Sequence, residues 1–389
     1  MLAPVCHVLQ GVATGNPGHP RQIFTPNTFI IPLPTFPFHP IAGLSRPLYG
    51  IFLLYCDRKL FSHEVTPVAE ATPTSALDEI TAQIKTITEN IETVILGKRQ
   101  AIEQTLVSLL CGGHVLLQDV PGVGKTMLAK SIAISLGCVY KRLQFTPDLL
   151  PSDITGVSIY HQQQGEFRFL EGPVFANVVL ADEINRASPK TQAALLECME
   201  ERQVTVDGAT RILPRPFFVL ATQNPIEFEG TYPLPESQLD RFLLRQSMGY
   251  PAREQERQVV EMQNQSTPLD HLRPVTDAAR FLVMQESVKT VHVSPTALEY
   301  LLNVVEATRT HRDLYLGASP RASIMLYRAA QSLAIVTGQH FVLPDHIKRL
   351  APLVLAHRII VRPEARISGV TAEDVIGEIL DMVPVDVVS

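Results

Sequence analysis

No two of the five cysteines (Cys6, Cys56, Cys111, Cys138, Cys198) form a CxxC pair, and none has a histidine at metal-ligand spacing. That argues against a disulfide framework or a zinc module and reads as free thiols in a reducing compartment. No apolar run approaches the roughly 18 to 20 residues of a membrane span. The nearest, Leu48 to Cys56, is interrupted by Gly50. A soluble, cytoplasmic protein without a membrane span is expected. Charge is sparse as well: 19% of residues are charged and the net charge is −6, so bulk electrostatics do not select for nucleic acid. A nucleic-acid partner would need a local basic patch and is not expected. At 389 residues the chain has room for two or three domains and can bury sizeable cores without staples.

The first 74 residues lack acidic side chains before Asp57 and hold eleven of the thirty prolines. Such a segment cannot form helix or sheet interiors. Three readings stay open for residues 1–74: a disordered tail, an extension from a start site assigned too early, and a targeting segment, for which two arginines before Arg58 are few. Order is expected from Ser75, where Ser-Ala-Leu-Asp reads as a capping box and Leu77, Ile80, Ile84, Ile87, Ile91 and Ile95 recur at helical spacing.

From His114 to Tyr250, short apolar runs (114–117, 139–145, 177–181, 217–222) alternate with amphipathic stretches, which predicts an α/β core with a parallel sheet and flanking helices. Beyond Pro251 helical periodicity returns around 252–265, 275–287, 294–309, 320–337, 344–357 and 371–382. The expected domains are therefore 1–74, 75–250 and a smaller, separate helical lid over 251–389.

Gly124-Lys125-Thr126 follows the first of these strands and opens a helix, the context that a phosphate-binding loop requires. Gly122 and Gly124 let backbone amides turn toward a phosphate, the helix N-terminus adds its dipole, Lys125 reaches the β and γ phosphates, and Thr126 holds Mg²⁺. The generic pattern asks for glycine where this chain has Asp119. The second half is Val178-Val-Leu-Ala-Asp182-Glu183, a buried strand ending in paired carboxylates. Asp182 is placed to hold Mg²⁺ through water and Glu183 to polarise the attacking water. The alternative is a helix N-cap and first-turn acid before Ala187 to Glu201. A third strand runs into Gln223-Asn224-Pro225, so Asn224 either orients the water or senses the γ-phosphate, or is simply a turn residue. Arg241 and Arg321 are arginine candidates for the same site, Arg321 closing from the lid and Arg241 entering a neighbouring subunit; surface salt bridges are the alternative for each. The loop 227–235, irregular at Gly230, Pro233 and Pro235, either couples hydrolysis to motion or is an ordinary surface loop.

Asp119-Val-Pro-Gly-Val-Gly-Lys-Thr, Leu180-Ala-Asp-Glu-Ile-Asn-Arg-Ala, Ala221-Thr-Gln-Asn-Pro and Leu239-Asp-Arg-Phe together resemble the MoxR family of AAA+ ATPases over roughly residues 76 to 385. Gln144-Phe-Thr-Pro-Asp-Leu-Leu-Pro-Ser-Asp, Gly172-Pro-Val-Phe, Lys190-Thr-Gln-Ala-Ala-Leu-Leu-Glu and Gly317-Ala-Ser-Pro-Arg support it. Asp119 is a familiar variant among MoxR-like sequences. The resemblance implies a nucleotide site at Asp119, Val120, Pro121, Gly122, Val123, Gly124, Lys125, Thr126 and Met127, with Thr126 and Asp182 toward the metal and Glu183, Asn224, Arg241 and Arg321 completing catalysis. It further implies ATP and Mg²⁺, a homo-oligomeric ring, usually a hexamer, and a chaperone-like role on a protein client, often one with a von Willebrand factor A domain or a metal-dependent enzyme. Rival readings are a metal-chelatase or DNA-remodelling motor of similar layout and a nucleotide-gated scaffold with little turnover.

Overall fold

The computed structural model describes residues 73–224, 231–265 and 267–385. The Pro-rich head, up to residue 72, and residues 225–230 of the loop after Asn224 lie outside them. The first helix, Pro73–Glu92, begins two residues before the expected cap at Ser75. Its stripe faces inward as the spacing predicts: Ile84, Ile87 and Ile91 are fully buried. At about 1.5 to 3 kcal/mol for each such side chain taken from water, this face is a principal reason for the helix to dock. It packs on the helices Arg99–Leu110, Lys125–Ser135 and Pro320–Val336.

The strands are β1 (Val115–Gln118), β2 (Tyr140–Gln144), β3 (Gly156–His161), β4 (Glu166–Glu171), β5 (Val178–Asp182), β6 (Gln203–Val206), β7 (Ala209–Ile212), β8 (Phe218–Gln223) and β9 (Leu244–Gln246), with β10 (Leu314–Leu316) and β11 (Ile360–Val361) in the lid. Five of them form one sheet in the order β2-β5-β8-β1-β9, and every pairing is parallel. Val115–Leu117, Val178–Ala181 and Phe218–Thr222 are buried throughout, because helices cover both faces. Unbroken apolar runs are what a doubly covered parallel sheet asks of its strands.

The register brings the strand ends to one edge: Gln144 lies opposite Asp182, and Gln118 opposite Gln223. This edge carries the site. The hairpins β3–β4 and β6–β7 and the short β9 are absent from the sequence expectation. Both hairpins are largely exposed, so no burial pattern marks them.

The lid helices Arg253–Gln265, Ala278–Val288, Pro295–Thr310, Pro320–Val336, Pro344–Leu355 and Ala372–Met382 follow the predicted periodicities within a few residues. Local chemistry starts four of them. Asp277, Ser294 and Ser319 each accept a first-turn N–H, and Thr371 and Asp374 form a capping box. The lid is less separate than the periodicity suggests. One hydrophobic cluster runs from Leu77 through the P-loop helix to Ile379. Residues 251 onward thus share a core with one face of the sheet instead of closing a core of their own.

Candidate functional site

The loop after β1 turns on two glycines with φ of 88° at Gly122 and 96° at Gly124, values that side chains resist. Gly124 is the N-cap of the helix Lys125–Ser135 and offers no side-chain cap, so the helix N-terminus faces outward with its amides available. Lys125 Nζ donates to the Asp119 carbonyl at 2.8 Å, folding back over the loop. The carboxylate of Asp119 has its own task. It accepts from Ser247 Oγ at 2.6 Å, from the Met248 N–H at 2.6 Å and from the Gly249 N–H at 3.1 Å. The residue that departs from the generic glycine therefore ties the phosphate loop to the chain as it leaves β9 for the lid.

Asp182 and Glu183 end β5. Asp182 Oδ2 accepts from Arg142 at 2.6 Å, and its Oδ1 accepts from the Thr222 hydroxyl at 2.6 Å. Thr222 Oγ1 in turn accepts the Glu183 N–H at 2.8 Å. Glu183 is left-handed, with φ of 58°, which turns its side chain out of the strand alternation and away from that of Asp182. Its Oε2 accepts from Gln144 at 2.7 Å and pairs with Arg186 at 3.3 Å. The helix Pro189–Glu201 takes its cap from Ser188, so the carboxylates are not helix caps. Asn224 follows β8 directly and is buried. In the loop beyond it, the Tyr232 N–H donates to Asn185 O at 2.6 Å and Gln192 donates to Tyr232 O at 2.9 Å.

The sheet order sets β1 and β5 on either side of β8, and Lys125 feels the result. Burial pulls its ammonium down, while the carboxylates of Asp119, Asp182 and Glu183 push it back up. Beside the loop lies an apolar cleft walled by Val94, Ile95, Gly122 to Gly124, Met127, Val259 and Met262. It suits a flat aromatic base next to phosphate-binding amides. For Mg²⁺, the expected donors Thr126 and Asp182 present hydroxyl and carboxylate oxygens without thiolate or imidazole, as a hard cation prefers. Asp182 Oδ2 takes both the Nε and the Nη2 donors of Arg142, whereas Oδ1 accepts only the Thr222 hydroxyl and keeps a second lone pair for a bridging water.

Sequence reasoning missed Thr222, Arg142 and Gln144. Thr222 and Gln144 stand inside the quoted motifs, but only the tertiary structure shows what they hold. It also missed the apolar cleft, whose walls come from segments far apart in the chain.

The two arginines are not at this edge. Arg241 Nε pairs with Glu200 at 3.1 Å, and Arg321 Nη1 pairs with the other oxygen of Glu200 at 3.0 Å. Both line one cavity with Gly112, Gly113 and His114, the residues entering β1. The phosphate loop leaves the far end of β1, four residues on. At about 3.3 Å per residue the strand alone separates the two sites by more than 10 Å. The expectation that Arg321 closes on the nucleotide of its own chain is corrected here: the lid helix that carries it packs toward the amino ends of the strands.

A parallel sheet with a glycine-turned phosphate loop, an acidic pair on the strand two places away and a helical lid defines a P-loop ATPase of the AAA+ kind. Residues 114–244 match the ATPase family associated with various cellular activities (AAA), and residues 306–379 match the AAA lid domain. The chain is 52% identical over 299 residues to the uncharacterized protein YeaC of Bacillus subtilis, covering 77% of this chain and 93% of that one. It is 41% identical over 333 residues to the chaperone MoxR1 of Mycobacterium tuberculosis, covering 82% and 88% respectively. A crystallised protein of Cytophaga hutchinsonii, provisionally assigned as an ATPase, superimposes with a TM-score of 0.76 at 37% identity, covering 81% of this chain and 98% of that one. The chain belongs to the MoxR family of AAA+ ATPases. Among the described residues no helix is long and apolar enough to cross a membrane.

Proposed function

We propose that the protein hydrolyses Mg·ATP within a homo-oligomeric ring, a hexamer by family resemblance, and uses the cycle to remodel or mature a protein client in the cytoplasm. The observation that carries the hydrolytic reading is the convergence of Lys125, Asp182 and Glu183 at one edge of the sheet. In this reading, water attacks the γ-phosphorus in line, the bond to the β-γ bridging oxygen breaks, and ADP departs. Glu183, with Oε1 outside its bonds to Gln144 and Arg186, takes the water proton. Asn224 orients that water from the end of β8. Lys125 and the amides of Gly122 to Thr126 neutralise the phosphates, while Val120, Pro121, Val123 and Met127 shape the loop and the base cleft. Thr126 and Asp182 would hold Mg²⁺, which would supply neutralisation of the phosphate charge.

Arg241 and Arg321 stand at the opposite strand end from this loop, so they serve the nucleotide of an adjacent subunit in a head-to-tail ring. The chaperone-like role is supported by the Mycobacterium relative named a chaperone. A client with a von Willebrand factor A domain rests on family resemblance alone.

The test is Mg²⁺-dependent ATP hydrolysis across a range of protein concentrations. Specific activity should rise with concentration. Glu183→Gln should abolish turnover while retaining ATP binding, and Arg241→Ala should cost about 10³- to 10⁵-fold. ATP binding without turnover in the wild type would instead favour a nucleotide-gated scaffold.

A further inference from the structure

Arg358 is the most deeply buried arginine in any ion pair of the described residues, its side chain only 2% exposed. It sits in the turn Ala356–Arg358, after the lid helix Pro344–Leu355, and reaches out of the lid onto the segment that enters β9. Nε donates to Asp240 Oδ1 at 2.7 Å, Nη2 to the carbonyls of Asp240 and Phe242, and Nη1 to the carbonyl of Leu243. Its guanidinium thus takes hold of residues 240, 242 and 243 and leaves the side chain of the residue between them, Arg241, to reach Glu200. Asp240 Oδ2 faces Arg321 at 3.6 Å, so one carboxylate joins the buried arginine to the second arginine of the patch.

A buried charge is a poor means of holding lid to core, because desolvation opposes it. Burial drags the Arg358 guanidinium down to about 10, against the pull of Asp240. Apolar residues of the same volume would bind the two parts as well or better. What a planar five-donor fork provides, and an apolar side chain does not, is fixed direction for the backbone whose carbonyls it collects.

We propose that Arg358 is the positioning residue for Arg241: gripping the backbone on both sides of it from the lid, Arg358 fixes the line along which Arg241 leaves the subunit toward the neighbouring nucleotide. The assignment rests on reading Arg241 as the residue that acts in trans. It also makes the finger a rider on the lid, so a lid displacement reaches the catalysis of the next subunit.

The experiment is subunit mixing. Arg358→Lys keeps the charge and loses the fork; alone, it should lower kcat by about 10- to 100-fold, the scale of a misplaced catalytic group, with the ATP dissociation constant unchanged. Lys125→Ala subunits, inactive themselves, retain intact arginines. Mixing them in equal amount with Arg358→Lys subunits should restore activity at about one interface in four, those where a competent loop meets an intact finger, for random assortment around a head-to-tail ring. Arg241→Ala mixed in the same way is the control. If Arg358→Lys does not fold, the double variant Arg358→Met with Asp240→Asn, which removes both buried charges together and the fork with them, takes its place. Full activity of the variant alone, or rescue of Arg241→Ala without rescue of the variant, overturns the assignment of Arg358. Rescue of neither overturns the shared-site reading and this assignment with it. Rescue of both supports it.

Discussion

Replacing Thr222 by valine keeps the shape of a fully buried side chain and deletes one hydroxyl. That hydroxyl accepts the Glu183 N–H at 2.8 Å and donates to Asp182 Oδ1 at 2.6 Å. The lost acceptor strands a backbone donor at a residue held at φ 58°. An unsatisfied donor away from water costs about 1 to 3 kcal/mol, and a hydrogen bond to a carboxylate contributes about 1.5 to 3 more, for a loss of roughly 2.5 to 6 kcal/mol in stability. The effect on catalysis is separate. Without the bond, Glu183 can relax from its left-handed backbone, and a displacement of about 1 Å at the base lowers kcat on the order of 100-fold. ATP binding, which rests on the loop at 122–126, should not change. The assays are urea unfolding, steady-state hydrolysis and nucleotide titration on Thr222→Val beside Thr222→Ser. The serine variant keeps the hydroxyl, so it should keep kcat and lose only about 1 kcal/mol for the missing methyl. Wild-type kcat in Thr222→Val, or an equal loss in both variants, would refute the claim that the hydroxyl positions the base.

Two further predictions concern the frame around the site. Asp119→Gly restores the generic glycine, yet it removes three bonds to Ser247, Met248 and Gly249 and should destabilise the chain by about 2 to 4 kcal/mol in chemical unfolding; a neutral or stabilising result would remove the tie between phosphate loop and lid. His114 is buried with Nδ1 accepting the Val219 N–H, so Nε2 carries the proton toward Met199 O, and burial pulls the ring from 6.5 down to about 4. The unfolded ring binds a proton below about 6.5 and the folded one only near 4. The stability from neutral His114 is therefore complete above 6.5 and lost as pH falls through this window, about 2 kcal/mol between pH 7 and 5. Unfolding of wild type and His114→Gln at the two pH values checks it: the variant should lose that part of the slope, and an unchanged slope contradicts the assignment.

What could be read from the sequence was whatever a local rule governs. The isoleucines of the first helix announced its buried face by spacing alone. The periodicities at 294–309 and 320–337 placed two lid helices, and the structure starts each with a serine cap and a proline at the first helical position, which act within one turn. The placement of Lys125, Asp182 and Glu183 was legible because the glycine loop joins β1 to a helix, the acidic pair ends β5, and a parallel sheet gathers such ends at one edge. The hairpins were not legible, since exposed strands carry no burial pattern.

Direction and partnership belonged to the tertiary structure. No local rule says that Asp119 clamps a segment more than a hundred residues away, or that Thr222 holds two acidic neighbours at once. Nor could spacing show that Arg321 lies with Arg241 at the amino ends of the strands. A motif fixes what a side chain can do within a turn or two of backbone. Which groups it meets depends on strand order, register and where the lid packs, and these follow from burying one shared apolar core.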